Sequence, residues 1–160
     1  VVSDTSPLRA LANLGLLGLL HDLYSEVIVP PSVEKELANA PRGQSPVNLD
    51  EHPFLQVRSA SDKAVVAAFL EDLDLGESEA LALALEIRAD LILIDETAGR
   101  DRAKQVGLSA IGVLGVLLEA KRSSFIGDLL PLLDQLQDEY RFYLTPQVRA
   151  EVLRRAGETP

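Results

Sequence analysis

The feature that most constrains this chain is an unbroken run of apolar residues, 91–94, that ends abruptly at Asp95. Such a run is typical of a strand in a parallel sheet, because helices cover that strand on both faces. Other short apolar segments predict further strands over residues 1–4, 27–29, 55–58 and 108–111. The intervals between these segments carry helical periodicity, so strands and helices alternate along the chain.

The predicted helices follow from apolar spacing and from proline or glycine at their boundaries. They cover residues 8–20, 32–37, 62–73, 77–87, 97–105, 113–121, 127–138 and 146–155, with Gly76 breaking the chain before the fourth. This alternation indicates an α/β fold with a parallel sheet. The length of 160 residues fits one domain, residues 1–160. We expect the C-terminal helices, about 127–156, to pack on this domain or on a dimer partner.

Acidic residues stand where several of these elements begin or end. Asp4 ends the first strand, and Asp95 ends the strongest one. Glu77 opens a helix, and Glu36 lies near the end of the helix after the second strand. Each acid also has an ordinary structural interpretation, as a helix cap, a first-turn acid or part of an exposed helix face. Their joint placement favours a site, because parallel sheets carry their chemistry at the carboxyl ends of the strands.

Carboxylates that converge repel each other unless protons or cations offset their charge. The sequence has no cysteine and only two histidines, so a metal would be held by oxygen, as Mg²⁺, Mn²⁺ and Ca²⁺ are. Such a cation can activate water and stabilise the leaving oxygen of a phosphodiester. The net charge of −10 argues against a simple basic nucleic-acid binder. No apolar run reaches the roughly 18 residues of a membrane span, and we expect a cytoplasmic protein.

Four ordered motifs resemble those of PIN domains, especially a bacterial and archaeal branch related to VapC toxins. They are VVSDTSPL (residues 1–8), VPPSVEKEL (29–37), LGESEALALA (75–84) and LIDE (93–96), the last followed by Ala98 and Arg100. The similarity continues through residues 106–108 and 111–115 to the region of Lys121, and residues 156–158 also fit it.

This resemblance implies a three-layer α/β/α PIN-like fold, with helices on both sides of a central, mostly parallel sheet. It implies an endoribonuclease that depends on Mg²⁺ or Mn²⁺, often the toxin of a toxin–antitoxin pair. The partners would be an RNA substrate, an antitoxin protein and a second copy in a homodimer. Carried over position by position, the catalytic and metal-binding acids are Asp4, Glu36, Glu77 and Asp95. Possible supporting residues are Ser6, Glu79, Glu96, Arg100 and Asp101.

Two details of the site stay open. Glu77 and Glu79 both stand in the third motif, and residues two apart do not share a helix face. We prefer Glu77 because it lies at the helix entrance. Arg100, Arg102 and Lys104 could hold phosphate, although a solvated helix face explains the last two equally well.

Other functions compete with the nuclease. A non-catalytic PIN-fold interaction module would fit the acidic net charge, but the presence of all four motif acids argues against it. A phosphoryl-transfer domain, either a receiver or a haloacid-dehalogenase-type phosphatase, also places an Asp at a strand end. The phosphatase pattern has a second Asp two residues after the first, where this chain has Ser6. A receiver would have adjacent acids near its first strand, and this chain has none there.

Overall fold

A computed structural model describes residues 1–159 and has a five-stranded sheet at its centre. All neighbouring strands pair in parallel, in the order β3-β2-β1-β4-β5. The strands are β1 (Val2–Ser3), β2 (Val27–Val29), β3 (Leu55–Val57), β4 (Ile92–Leu93) and β5 (Ala110–Ile111). The predicted parallel sheet is thereby confirmed.

The helices of residues 1–159 fill the intervals between the strands and the C-terminal third of the chain. They are α1 (Thr5–Asn13), α2 (Leu19–Tyr24), α3 (Pro31–Ala38), α4 (Lys63–Phe69), α5 (Leu75–Glu86), α6 (Thr97–Gln105), α7 (Val113–Arg122), α8 (Leu130–Asp138) and α9 (Pro146–Arg155). A single 3₁₀ turn covers Leu49–Glu51. None of these helices is long and apolar enough to span a membrane.

The sheet separates two apolar cores. Residues 92–94, which form β4 and the position after it, alternate between these cores. Ile92 and Ile94 are fully buried on the face covered by α4, α5 and α6. Leu93 between them is buried on the opposite face, which is covered by α1, α2, α3, α7, α8 and α9. Successive side chains of a strand point to opposite faces, so an uninterrupted apolar run is required here. This arrangement confirms the three-layer α/β/α fold.

The strand order places a crevice between β1 and β4. The chain runs outward from β1 through β2 to β3, then returns to the other side of β1 to form β4 and β5. Ser3 is in register with Leu93, and the Asp4 amide donates to the Leu93 carbonyl at 2.9 Å. Ligands of open parallel sheets bind where the strand order reverses in this way. Asp4 and Asp95 leave neighbouring strands at that point.

Several predicted boundaries are wrong: α4 ends at Phe69, four residues before the predicted end, and α8 begins at Leu130, three residues after the predicted start. The helix expected over residues 8–20 is two helices, because the chain turns after Asn13 and Gly15 adopts a positive φ of 69°. Gly76 does not break the chain but lies in the first turn of α5, which begins at Leu75. The reason is that Asp74 caps this helix through its side chain, so the helix starts before the glycine.

Candidate functional site

The first turn of α5 brings acids and a glycine together. The Asp74 carboxylate accepts from the Glu77 amide at 2.9 Å, and the Glu77 carboxylate accepts from the Asp74 amide at 3.3 Å. This reciprocal capping box fixes the Glu77 side chain through one oxygen only. The other oxygen, Oε1, is buried and has no hydrogen-bond partner within residues 1–159. An orphaned carboxylate oxygen is costly to bury, so the capping box alone does not explain the burial of Glu77.

Gly76 marks the point where three carboxylates converge. An added Cβ there would lie 3.1 Å from Asp4 Oδ1, 3.3 Å from Glu36 Oε1 and 3.5 Å from Asp74 Oδ1. These oxygens come from the end of β1, from α3 and from the cap of α5. Since each of these oxygens lies within 3.5 Å of one point, the three carboxylates border the space that the missing side chain leaves open. We call Asp4, Glu36, Asp74 and Glu77 the acid cluster.

Asp4 is the N-cap residue of α1, but its side chain makes no capping hydrogen bond. The helix-cap interpretation therefore does not account for this buried residue, which is only 4% exposed. Burial raises the pKa of Asp4 to about 7; the Thr5 amide opposes this shift, and the charges of Asp74, Glu77 and Glu36 add to it. Burial also raises the pKa of Glu77, with a further contribution from the charge of Asp74. Burial and the neighbouring carboxylates thus disfavour the ionised forms of Asp4 and Glu77.

Glu36 is held toward the cluster from α1. The Thr5 hydroxyl donates to Glu36 Oε2 at 2.5 Å, which leaves Oε1 on the side of Gly76. The Arg9 guanidinium donates to the Glu36 carbonyl at 2.6 Å and to the Leu37 carbonyl at 3.3 Å. These contacts fix the end of α3 against α1. Glu36 is an exposed residue of its helix, yet its carboxylate is positioned by specific contacts.

Asp95 follows β4, the strand that pairs with β1, and its side chain is held by a different helix. Its Oδ1 accepts from the Val113 amide at 2.8 Å at the start of α7, and the Arg100 guanidinium donates to its backbone carbonyl. Its other oxygen, Oδ2, is buried and lacks a partner within the described residues. Burial raises the pKa of Asp95 to about 6. The hydrogen bond from the Val113 amide and the charge of Arg100 oppose this rise, and the charge of Glu96 adds to it. The structure therefore joins Asp4, Glu36 and Glu77 closely and places Asp95 at the adjoining strand end.

The other predicted residues divide into two groups. Ser6, Glu96 and Arg100 line the same surface groove as Glu36 and Asp95. Glu79 instead accepts from the Ser32 hydroxyl at 2.5 Å and ties α5 to α3. Asp101 is exposed on α6 and does not line the groove.

Sequence reasoning missed Asp74 and Thr5. Asp74 stands three residues before Glu77, which is the spacing of a capping box, so this pattern could have found it. Nothing in the local sequence marks Thr5, because its partner Glu36 is 31 residues away.

The acids do not form a closed coordination cage. Among residues 1–159, no three acidic or histidine side chains are arranged to surround a metal ion by themselves. Mg²⁺ commonly keeps several waters and takes only one or two carboxylates, so a partly open, all-oxygen site suits it. The donor set and the two orphaned carboxylate oxygens, Glu77 Oε1 and Asp95 Oδ2, fit a hard divalent cation.

A family model described as a PIN domain matches residues 1–158. The chain belongs to the PIN-domain family. PIN domains are typically nucleases, and PIN nucleases typically use divalent metals. A comparison with curated proteins gives no match. The acids that the geometry brings together at the β1–β4 crevice are thus the part of this PIN domain where nuclease chemistry is to be sought.

Proposed function

We propose that this PIN domain is an endoribonuclease that hydrolyses RNA phosphodiester bonds with Mg²⁺ or Mn²⁺. The observation that carries the proposal is the convergence of Asp4, Glu36 and Asp74 oxygens around Gly76. The buried, partnerless oxygen of Glu77 supports it. A site that only stabilised the fold would not collect unbalanced buried carboxylates, because each one costs free energy.

The residues that would hold the cation are Asp4, Glu36 and Glu77, together with Asp95 at the end of the neighbouring strand. Asp74 is a further candidate, because its Oδ1 also lies near Gly76. When bound, a divalent cation supplies charge neutralisation, activation of a water molecule and stabilisation of the leaving oxygen of the phosphodiester. The carboxylates must be ionised to bind it, so cation affinity should fall as Asp4 takes up a proton.

The protein's own groups set up this chemistry. Thr5 orients Glu36, and the capping box engages one oxygen of Glu77 and leaves Oε1 without a partner close to Gly99. The Val113 amide fixes Asp95. Arg100 lines the groove next to Asp95, where a guanidinium can contact a phosphate of the substrate. Ser6 presents a hydroxyl to the same groove. Preorganised groups of this kind contribute to catalysis because they need not reorganise during the reaction.

The resemblance to VapC-related proteins extends the proposal to a toxin of a toxin–antitoxin pair, acting in the cytoplasm as a homodimer and neutralised by an antitoxin protein. We further propose that residues 1–160 act as one domain, with the segment 127–156 packed on the sheet. The burial of Leu129, Leu133 and Leu153 in the core shared with α1 and α7 supports that packing.

The proposal is tested by cleavage of a mixed RNA pool with Mn²⁺, with EDTA, and by the Asp4→Asn and Asp95→Asn variants. We expect cleavage by the wild-type protein with Mn²⁺ alone, and loss of cleavage with EDTA and in both variants. Circular dichroism serves as the control for folding. Cleavage that persists in both folded variants would refute the site. No cleavage by folded wild-type protein with any divalent cation would favour a non-catalytic interaction module.

A further inference from the structure

A single groove of about 1570 Å³ is lined by Glu36 of the acid cluster and by the C-terminal part of the chain. Thr5 and Asp95 line it together with Glu36. Its lining also includes residues 140–145, which connect α8 to α9, and α9 itself. A polymer bound beside Glu36 and Asp95 can therefore reach this connection, which we call the α8–α9 connection.

Aromatic residues are scarce in this protein but concentrated in the α8–α9 connection. The sequence has three tyrosines and four phenylalanines. Tyr140, Phe142 and Tyr143 all line the groove, although aromatic residues make up only 4% of the chain. This concentration beside a phosphodiester-cleaving site points to a ligand with flat aromatic groups.

The connection presents Tyr143 from a fixed backbone. The Phe142 amide donates to the Leu136 carbonyl at 2.9 Å, and the Gln137 side chain donates to the Leu144 carbonyl at 3.1 Å. Leu144 is buried, and Phe142 is half-buried against the same core. Tyr143 lies between these two anchored residues, and its side chain is 86% exposed. The ring is thus held outward at the groove without being covered by the protein.

The groove also departs from the acidic average of the protein. Its lining contains the basic residues Arg9, Lys35, Arg100, Arg141 and Arg155 and the acidic residues Glu36, Asp95, Glu96 and Glu151. The whole chain has 15 basic and 25 acidic residues, so the lining is relatively rich in positive charge. Lys35 and Arg141 are exposed and form no ion pair within residues 1–159. They are free to contact phosphates.

We propose that the α8–α9 connection is a binding site for single-stranded RNA, in which one base stacks on Tyr143 and the backbone contacts Arg141 and Lys35. The inference rests on the proposed ribonuclease function and adds the residues that hold the substrate outside the acid cluster. Exposed aromatic rings with basic neighbours are how proteins hold unpaired nucleotides, because every base offers a face for stacking. A base in a duplex is already stacked and cannot take this position, so Tyr143 selects unpaired RNA.

The first test uses a spectroscopic signal that the natural chain lacks. The protein has no tryptophan, so Tyr143→Trp introduces a single indole at the proposed stacking position. The variant is combined with Asp4→Asn to prevent cleavage and titrated with a single-stranded RNA 12-mer. We expect the tryptophan emission to be quenched on saturation. An abasic oligomer of the same length should bind through its phosphates with little quenching, and equal quenching by both oligomers would overturn the stacking.

The second test measures RNA affinity by fluorescence anisotropy in the same Asp4→Asn background. Tyr143→Ala should weaken binding of the 12-mer at least about fivefold, the low end of what one stacked base contributes. Tyr143→Phe keeps the ring and should change the affinity less than about twofold. Neither variant should affect folding, since the side chain is exposed. Equal affinity of the alanine variant would overturn the inference.

Measurements of RNA cleavage, RNA affinity and self-association distinguish the ways in which the proposal can fail. If the wild-type protein neither binds nor cleaves RNA, the proposed function fails together with this inference. If it cleaves RNA and Tyr143→Ala leaves the affinity unchanged, only the inference fails. Light scattering completes the test: a Tyr143→Ala variant that loses self-association without losing RNA affinity would show that Tyr143 belongs to an interface between copies.

Discussion

Replacing Asp4 with asparagine should stabilise the metal-free protein at pH 8 while removing its nuclease activity. Asparagine has nearly the shape of aspartate and keeps one side-chain oxygen as an acceptor. Its NH₂ group can donate to the surrounding carboxylates, where Asp4 instead repels them. The change therefore removes a buried negative charge from the acid cluster with little change in packing.

The size of the effect follows from the pKa of Asp4, which is raised from 3.8 to about 7. Each unit of pKa corresponds to about 1.4 kcal/mol, so ionised Asp4 should cost on the order of 4 kcal/mol of folding free energy. A domain of this length shifts its melting temperature by roughly 2–4 °C per kcal/mol. Removing the whole cost would raise the melting temperature by on the order of 10 °C.

The effect should depend on pH in a defined direction. Below pH 3.8 the carboxyl group is protonated in the folded and the unfolded protein, and it costs nothing. As pH rises from there to about 7, the unfolded chain releases a proton that the folded protein retains, so wild-type stability falls. Above that range the cost is complete. The advantage of Asp4→Asn should therefore be small near pH 4.5 and largest at pH 8.

The assay is urea unfolding followed by circular dichroism, with EDTA, at pH 4.5, 6 and 8. Asp101→Asn is the matched control, because Asp101 is exposed and outside the groove. Addition of Mn²⁺ at pH 8 should stabilise the wild type and leave Asp4→Asn nearly unchanged. A variant that is less stable than the wild type at pH 8, or more stable by the same amount at every pH, would show that the buried charge of Asp4 does not destabilise the metal-free protein.

Three further experiments probe the acid cluster and the groove beside it. Gly76→Ala adds a Cβ 3.1 Å from Asp4 Oδ1 and 3.3 Å from Glu36 Oε1; we expect a folded protein whose cleavage rate falls about tenfold or more, because small displacements in a catalytic site are costly. Glu77→Gln should abolish cleavage. Glu79→Gln should keep cleavage and lose about 1 kcal/mol of unfolding free energy, because its contact with Ser32 is weakened. The reverse result would identify Glu79 as the third acid. Lys35→Ala combined with Arg141→Ala should weaken RNA binding and reduce its salt dependence, with a logarithmic slope about 1–2 units shallower; an unchanged slope would remove both residues from the RNA path.

The architecture could be predicted from the sequence because the strands are short apolar runs separated by periodic helices. Residues 91–94 required burial on both faces of a sheet, and the structure provides it. Boundaries were less predictable where a cap decides them. Gly76 suggested a break by its own conformational preference, but the Asp74 side chain extends α5 past it. The energy of a cap outweighs the modest cost of glycine in a helix.

The candidate site could be predicted in part. Asp4 and Asp95 end adjacent strands, so a parallel sheet with this connectivity brings them to one edge. The position of Glu36 depends on how α3 packs against α1, which is set by Arg9 and Thr5 over long sequence separations. The exposed ring of Tyr143 lies in a connection without regular secondary structure, where periodicity gives no information. Tertiary contacts, not local pattern, determine these features.

The most direct test of the acid cluster as a cation site is Mn²⁺ binding, measured by electron paramagnetic resonance as loss of the free-ion signal. The wild-type protein and Glu79→Gln should bind Mn²⁺ alike at pH 8, whereas Asp4→Asn and Glu77→Gln should each lose about tenfold or more in affinity. Folded wild-type protein that bound no Mn²⁺ at millimolar concentration would contradict a cation site at the acid cluster. Equal binding by all four proteins would equally show that the cluster around Gly76 is not the cation site.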